Sequence, residues 1–294
     1  LLQNFEDTAN SLEKRSFILK DALMVLDDFH PSNKKADAET MEGKAQRLIR
    51  SYSNRTGRGR LNADTTDKGR YEPRGMLLIT GEELVSLQST LARVIIIEIC
   101  KGDIDLEKLT ALQQKAKLLP HAMTSFIHWV SNNIQEIKTS FPNEFIQLRQ
   151  KAYKDSIHAK LPEQVAFLQF ALNTILSWII EKNILTENQA KDLSQKGWDI
   201  FMSLADKHSK RIEREDPIKK FTEIIDTLIT QGRVKIENKD ISMDKTLGGV
   251  NSELIGWYDD LYFYFMPQAL WHSLQEYCIK EGMHFPVKKH TFYE

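Results

Sequence analysis

The rhythm of apolar and polar positions changes three times along this chain. Over the first hundred residues, short apolar runs alternate with amphipathic stretches. Residues 7 to 20 carry a helical pattern, with Leu12, Phe17 and Leu19 set among charges. The aspartate or threonine of "DTANSLEKR" is placed to cap that helix. "ALMVL" at 22 to 26 is too brief for a helix and is bounded by acids, which predicts a buried strand. "DAETMEGKAQRLIRSY" returns to helical period, and residues 54 to 75, rich in glycine, polar and basic side chains, predict a long loop or hairpin. "MLLIT" at 76 to 80 predicts a second strand, "EELVSLQSTLAR" a short helix, and the β-branched "VIIIEI" at 94 to 99 a third strand. Nearly continuous apolar strands alternating with helices predict a parallel sheet covered on both faces.

From about Asp103 the period becomes helical throughout, with helices expected in outline over 105–119, 120–138, 141–158, 162–182 and 186–214. The chain restarts at "REDPIKKF". A helix is expected over 218–232, a strand in "RVKIENK", two short strands around the acidic turn of "LIGWYDDLYFYFMP", and a helix in "QALWHSLQEYCIKEG". The predicted division is therefore an α/β partial core over 1–102, an all-helical middle over 103–215 and a small C-terminal α/β module over 216–294.

Charge and cysteine usage narrow the picture. Lys plus Arg number 40 and Asp plus Glu 41, a net charge of −1, so attraction to nucleic acid must come from a local patch. The two cysteines, Cys100 and Cys278, lie far apart in apolar settings, which argues against a disulfide framework or a structural zinc site and points to a reducing, cytoplasmic home. No apolar run approaches the roughly 18 residues of a membrane span, so no membrane partner is expected. No signal peptide opens the chain, Leu1 stands first, and "HFPVKKHTFYE" reads as the start of a helix; a fragment of a longer protein is the expectation. The histidines suggest no metal set, and the five tryptophans are expected in the core.

Three features carry candidate chemistry. Asp27 and Asp28 close the first apolar run. At the carboxyl end of a parallel strand such acids hold magnesium or its waters and orient an attacking water. The alternative is a buried strand surfacing at an acidic turn. Thr80 closes the next strand, beside the aspartates if the strands are neighbours, where it would bond a γ-phosphate or a water; Glu82 is the alternative for that role. The other reading is a plain strand-to-helix turn. Arg93 follows a short helix, either reaching toward a phosphate held by a neighbouring subunit or satisfying the helix C-terminus.

Taken in order, these features resemble the second half of the ATPase core of bacterial phage, plasmid and mobile-element primase–helicases, which are similar to superfamily three and AAA+ hexameric helicases. "DTANSLE" resembles the run before their acidic strand, "MVLDDF" the Walker B motif, "LLITGEE" the sensor-one strand and "STLARVIIIEI" the arginine-finger segment. "LIGWYDD", "YFMP" and "EGMHFPVKKHT" resemble the C-terminal module of the same proteins. The resemblance implies ATP and magnesium as cofactors, with Asp27 coordinating magnesium through water. It further implies Asp28 at the attacking water, Thr80 or Glu82 at the γ-phosphate and Arg93 acting in trans. A homo-oligomer, a hexamer as in the helicases it resembles, moving on single-stranded DNA is the implied assembly.

One departure qualifies this. No G-x-x-x-x-G-K-[ST] occurs, and "EGKA" at 42 to 45 lacks the hydroxyl residue and follows the acidic strand. The chain by itself is therefore expected to grip ATP poorly, and a non-catalytic DNA-binding or assembly module is the alternative. Arg55, Arg58, Arg60, Lys68, Arg70 and Arg74 crowd the 54–75 segment. In the helicases it resembles, this insert is a hairpin that grips single-stranded DNA through phosphates; a solvated loop is the other reading. The C-terminal module is expected to be winged-helix-like, with Lys288 and Lys289 early in its next helix as candidate DNA contacts.

Overall fold

The computed structural model describes the chain apart from residues 1, 32–33, 62–63, 84–87, 156, 215, 241–245, 248–250, 284 and 294. It divides into two compact units whose boundary falls after Lys210. The first contains an α/β layer and a helical region. The second is a small mixed sheet with helices.

The α/β layer is a parallel three-stranded sheet in the order β1 (Leu2–Asn4), β2 (Met24–Phe29), β5 (Leu77–Gly81). Helix α1 (Ala9–Ile18) joins the first two strands, and its cap is Thr8, whose side chain accepts the Ser11 N–H at 3.2 Å. Helix α2 (Lys35–Asn54) follows β2. Met24, Leu26 and Phe29 point inward and pack with Phe5, Leu12, Ala45, Leu48 and Ile49. Each large side chain so buried favours folding by about 1.5–3 kcal/mol. Strand β2 starts two residues later than the apolar run and continues through both aspartates, because Ala22 and Leu23 are exposed while Phe29 is buried. Strand β1, only three residues long, has too little pattern to be read from sequence. Helix α2 ends where Arg55 turns left-handed, at φ 52°, and its N–H closes onto Ser51 and Tyr52. Beyond it an antiparallel pair with two residues in each strand, β3 (Arg60–Leu61) with β4 (Asp67–Lys68), occupies the basic segment.

The expected strand at 94–99 does not form. Helix α3 (Gln88–Leu91) ends in a turn, and residues 95–100 run without any ladder. The carbonyls leading into the run are taken by side chains from later helices. Gln164 Nε2 donates to Ala92 O at 3.1 Å, and His208 Nε2 meets Leu91 O at 2.9 Å. Ile95 lines a small cavity with Leu161, Val165 and Ala205, whereas Ile97 and Ile99 are 69% and 67% exposed. β-Branched composition favours a strand only where a neighbouring strand supplies the ladder.

The helical region comprises α4 (Leu106–Gln114), α5 (Leu119–Asn132), α6 (Ile134–Ala152), α7 (Leu161–Glu181) and α8 (Glu187–Arg214). The α5–α6 break lies at Asn133, whose Nδ2 donates to Trp129 O at 2.9 Å, and not near 140 as the sequence suggested. Pro142 is instead absorbed inside α6. Helices α6 and α7 pack through Phe141, Phe145, Phe167 and Phe170, with Phe141 and Phe170 edge to face at 4.9 Å. Helix α7 is long and apolar enough to cross a membrane by length and composition, at mean hydropathy 1.2; Leu161, Val165, Ala166 and Leu176 are buried against its surroundings. Neither α4 nor α5 buries a residue.

In the second unit, α9 (Pro217–Thr230) leads into a four-stranded sheet of order β7 (Thr246–Leu247), β6 (Val234–Asn238), β8 (Glu253–Tyr258), β9 (Phe263–Phe265). Strands β6 and β8 are parallel; the outer pairings are antiparallel. Helix α10 (Pro267–Lys280) and the short α11 (Lys289–Phe292) complete it. Ile224, Ile225 and Leu228 of α9 meet Val234, Ile236 and Ile255 of the sheet and Leu270, Leu274 and Cys278 of α10. Trp257 departs from the expected core placement: it is 37% exposed, paired across the strands with Tyr264.

Candidate functional site

The carboxyl ends of β2 and β5 lie side by side, and their register is irregular at the two aspartates. Leu26 pairs with Ile79 and Phe29 with Gly81, so Asp27 and Asp28 together oppose Thr80. An extra residue in one strand forms a bulge that re-aims side chains. Asp28 takes up the bulge in the left-handed region, at φ 65°. That region is unfavourable for a residue with a Cβ, although aspartate is among the more tolerant. The Thr80 hydroxyl joins the pair: it donates to Asp27 Oδ1 and accepts the Asp28 N–H at 3.3 Å. Gly81 allows the approach, since a Cβ there would stand 2.5 Å from Phe29 O and 2.7 Å from Phe29 Cβ.

Two residues at the same edge were not singled out from sequence. Asn4, at the end of β1, is in register with Asp27. His30 follows β2, and its Nδ1 lies 3.5 Å from Glu82 Oε2, an ion pair when the imidazole is protonated. The signal for His30 was its position two residues beyond Asp28; for Asn4 there was none, because it depends on the pairing of β1. Glu82 thus faces His30, while Thr80 faces the aspartates.

Among the described residues no group of three or more His, Cys, Asp or Glu side chains is assembled for a metal. Two neighbouring carboxylates nevertheless suit magnesium, which keeps several waters and takes one or two carboxylates plus phosphate oxygens. The edge could hold such an ion through Asp27 and Asp28. It does not supply a phosphate cradle, for which the sequence has no glycine–lysine loop. Arg93 is half-buried and turned back on α3, with Nη1 donating to Ser89 O.

The basic segment separates into two sets. Arg55 Nη1 donates to Arg74 O and, at 3.1 Å, to Gly75 O, tying the end of α2 to the approach of β5. Arg74 pairs with Asp21 at 3.3 Å. Gly57 sits so close to the Tyr71 backbone that a Cβ would lie 2.6 Å from Tyr71 O, and Tyr71 packs on Phe17 at 5.5 Å. Arg58 and Arg70 are exposed. The side chains of Arg60 and Lys68, on the hairpin strands, lie outside the described set. In the second unit, exposed Lys288 stands at the N-cap of α11 and Lys289 opens it.

Comparison with family models, curated proteins and solved structures finds no match to this chain.

Proposed function

We propose that this chain carries the magnesium-side half of a DNA-dependent ATPase of the AAA+ or superfamily-three helicase type, acting in replication of a mobile element. The observation that supports the reading best is the Asp27–Thr80–Asp28 contact at the carboxyl ends of adjacent parallel strands. Ligands of open α/β sheets bind at that edge. Asp27 would hold magnesium through water, and the metal would neutralise phosphate charge. Asp28 would accept the proton of the attacking water, Thr80 or Glu82 would orient on the γ-phosphate, and Arg93 would serve a neighbouring subunit. ATP would need a phosphate loop from outside these residues. Two features leave room for a strand to bring one: β5 is an edge strand of its sheet, and the apolar run 95–99 has no ladder. The second unit would be a winged-helix-like module.

The test is nucleotide hydrolysis by the parent open reading frame. If a glycine–lysine loop lies upstream of Leu1, wild type should hydrolyse ATP with DNA present, and Asp28→Asn should lose most turnover while binding nucleotide. Unaltered turnover would remove the acidic edge from the mechanism. A non-catalytic DNA-binding module is the second reading, favoured by the missing loop; it predicts DNA binding with no hydrolysis by either protein.

A further inference from the structure

A second concavity lies away from the acidic edge, along the C-terminal half of α2 and the residues after it. It has a volume of about 400 Å³, and its lining includes Arg47, Arg50, Asn54 and Arg58, with Glu13 as the acid. Gly43, Arg47, Arg50 and Asn54 recur at i, i+4, i+7 and i+11, so they form one stripe of α2 roughly 16 Å long.

Three observations bear on what it takes. The guanidinium groups are available: Arg47, Arg50 and Arg58 are exposed, and Arg50 spends one nitrogen on Ser89 Oγ at 3.0 Å. The wall beyond the helix is held in place, because Ser51 Oγ donates to Thr56 O at 2.6 Å and Gly57 is wedged against Tyr71. Gly43 lies in the helix interior, where glycine costs about 1 kcal/mol relative to alanine. A Cβ there would meet nothing within 4 Å, so packing does not demand glycine, and a large side chain at this lining position would extend into the groove. Three guanidiniums against one carboxylate outweigh the roughly half negative charge at the helix C-terminus. Arginine forks match phosphate oxygens.

We propose that this groove binds the phosphodiester backbone of single-stranded nucleic acid. Arg47 and Arg50 stand one turn apart on α2 and Arg58 lines the same groove from beyond the helix end, an extended set that suits consecutive phosphates better than one isolated anion. The inference rests on the DNA part of the proposed function, yet it needs neither nucleotide nor the acidic edge.

The experiment is a salt titration of fluorescent oligo-dT binding by the 294-residue chain, as wild type, Arg47→Gln/Arg58→Gln, Arg47→Lys/Arg58→Lys and Gly43→Leu. Neither Arg47 nor Arg58 makes a structural bond among those described, so the double variants should fold. The Gln pair should flatten the log–log salt slope by about 1.4, at about 0.7 per lost single-strand contact. The Lys pair should keep most of the slope, and Gly43→Leu should weaken binding with every charge retained. Unchanged slope and affinity in the Gln pair overturn the proposal. So does displacement of oligo-dT by inorganic phosphate or ATP at equal phosphate concentration, which would mark a site for free phosphate. Loss of hydrolysis in the Asp28→Asn protein with an intact salt slope would leave this groove standing, so the two ideas fail separately.

Discussion

Replacing Asp28 by glycine and by alanine separates backbone strain from carboxylate chemistry. Both variants delete the carboxylate, so its interactions cancel in the comparison. At φ 65° a Cβ is disfavoured, by about 1–2 kcal/mol for an ordinary residue. Alanine recovers about 0.4–1 kcal/mol by restricting the unfolded chain. The glycine variant should therefore be more stable than the alanine variant by roughly 1 kcal/mol, or about 2–4 °C for a cooperative unit of this size. At an ordinary extended position the order reverses, with glycine the weaker by about 0.5–1 kcal/mol. Urea unfolding of the two variants side by side reads the sign directly. An alanine variant more stable than the glycine variant would mean that Asp28 is not left-handed, and the bulge opposing both aspartates to Thr80 would be wrong. Both variants should be equally inactive in any assay that depends on the acidic edge.

Gly81→Ala would press a Cβ into the Phe29 backbone and should cost about 1–3 kcal/mol in urea unfolding; a shift within experimental error would mean that β2 and β5 do not approach so closely. In the parent protein Arg93→Ala should lose hydrolysis by about 10³-fold with nucleotide binding kept. Mixing it with a phosphate-loop variant should restore part of the activity, and a dead mixture of demonstrable hetero-oligomers would count against action in trans. Asp259 accepts N–H groups from Leu261 and Tyr262 and the Tyr264 hydroxyl, bonds that hold its carboxyl below the usual carboxylate range. Its contribution to the β8–β9 turn should be complete above the unfolded value of about 3.9 and fade as pH falls through the lower folded value; amide exchange at Leu261 and Tyr262 in Asp259→Asn should lose that acid dependence.

Local pattern settled a good deal of this protein. The apolar runs around Met24 and Leu78, the helical period of the middle and the "YDD" turn between β8 and β9 declare themselves within a few residues, although only the Met24 run is buried and Leu78 stays exposed. Asp27, Asp28 and Thr80 were legible because each stands where an apolar run stops. Tertiary structure alone decided the rest. Whether Val94–Ile99 becomes a strand depends on a ladder partner, and here Gln164 and His208 claim the carbonyls leading into it. Which arginines are tied down depends on contacts across the fold: Arg55 and Arg74 bond to distant parts of the chain, whereas Arg47 and Arg50, unremarkable on an amphipathic helix, come to line one groove with Arg58. Period reports which face of an element is buried; it carries no information about which residues, distant in sequence, that burial brings together.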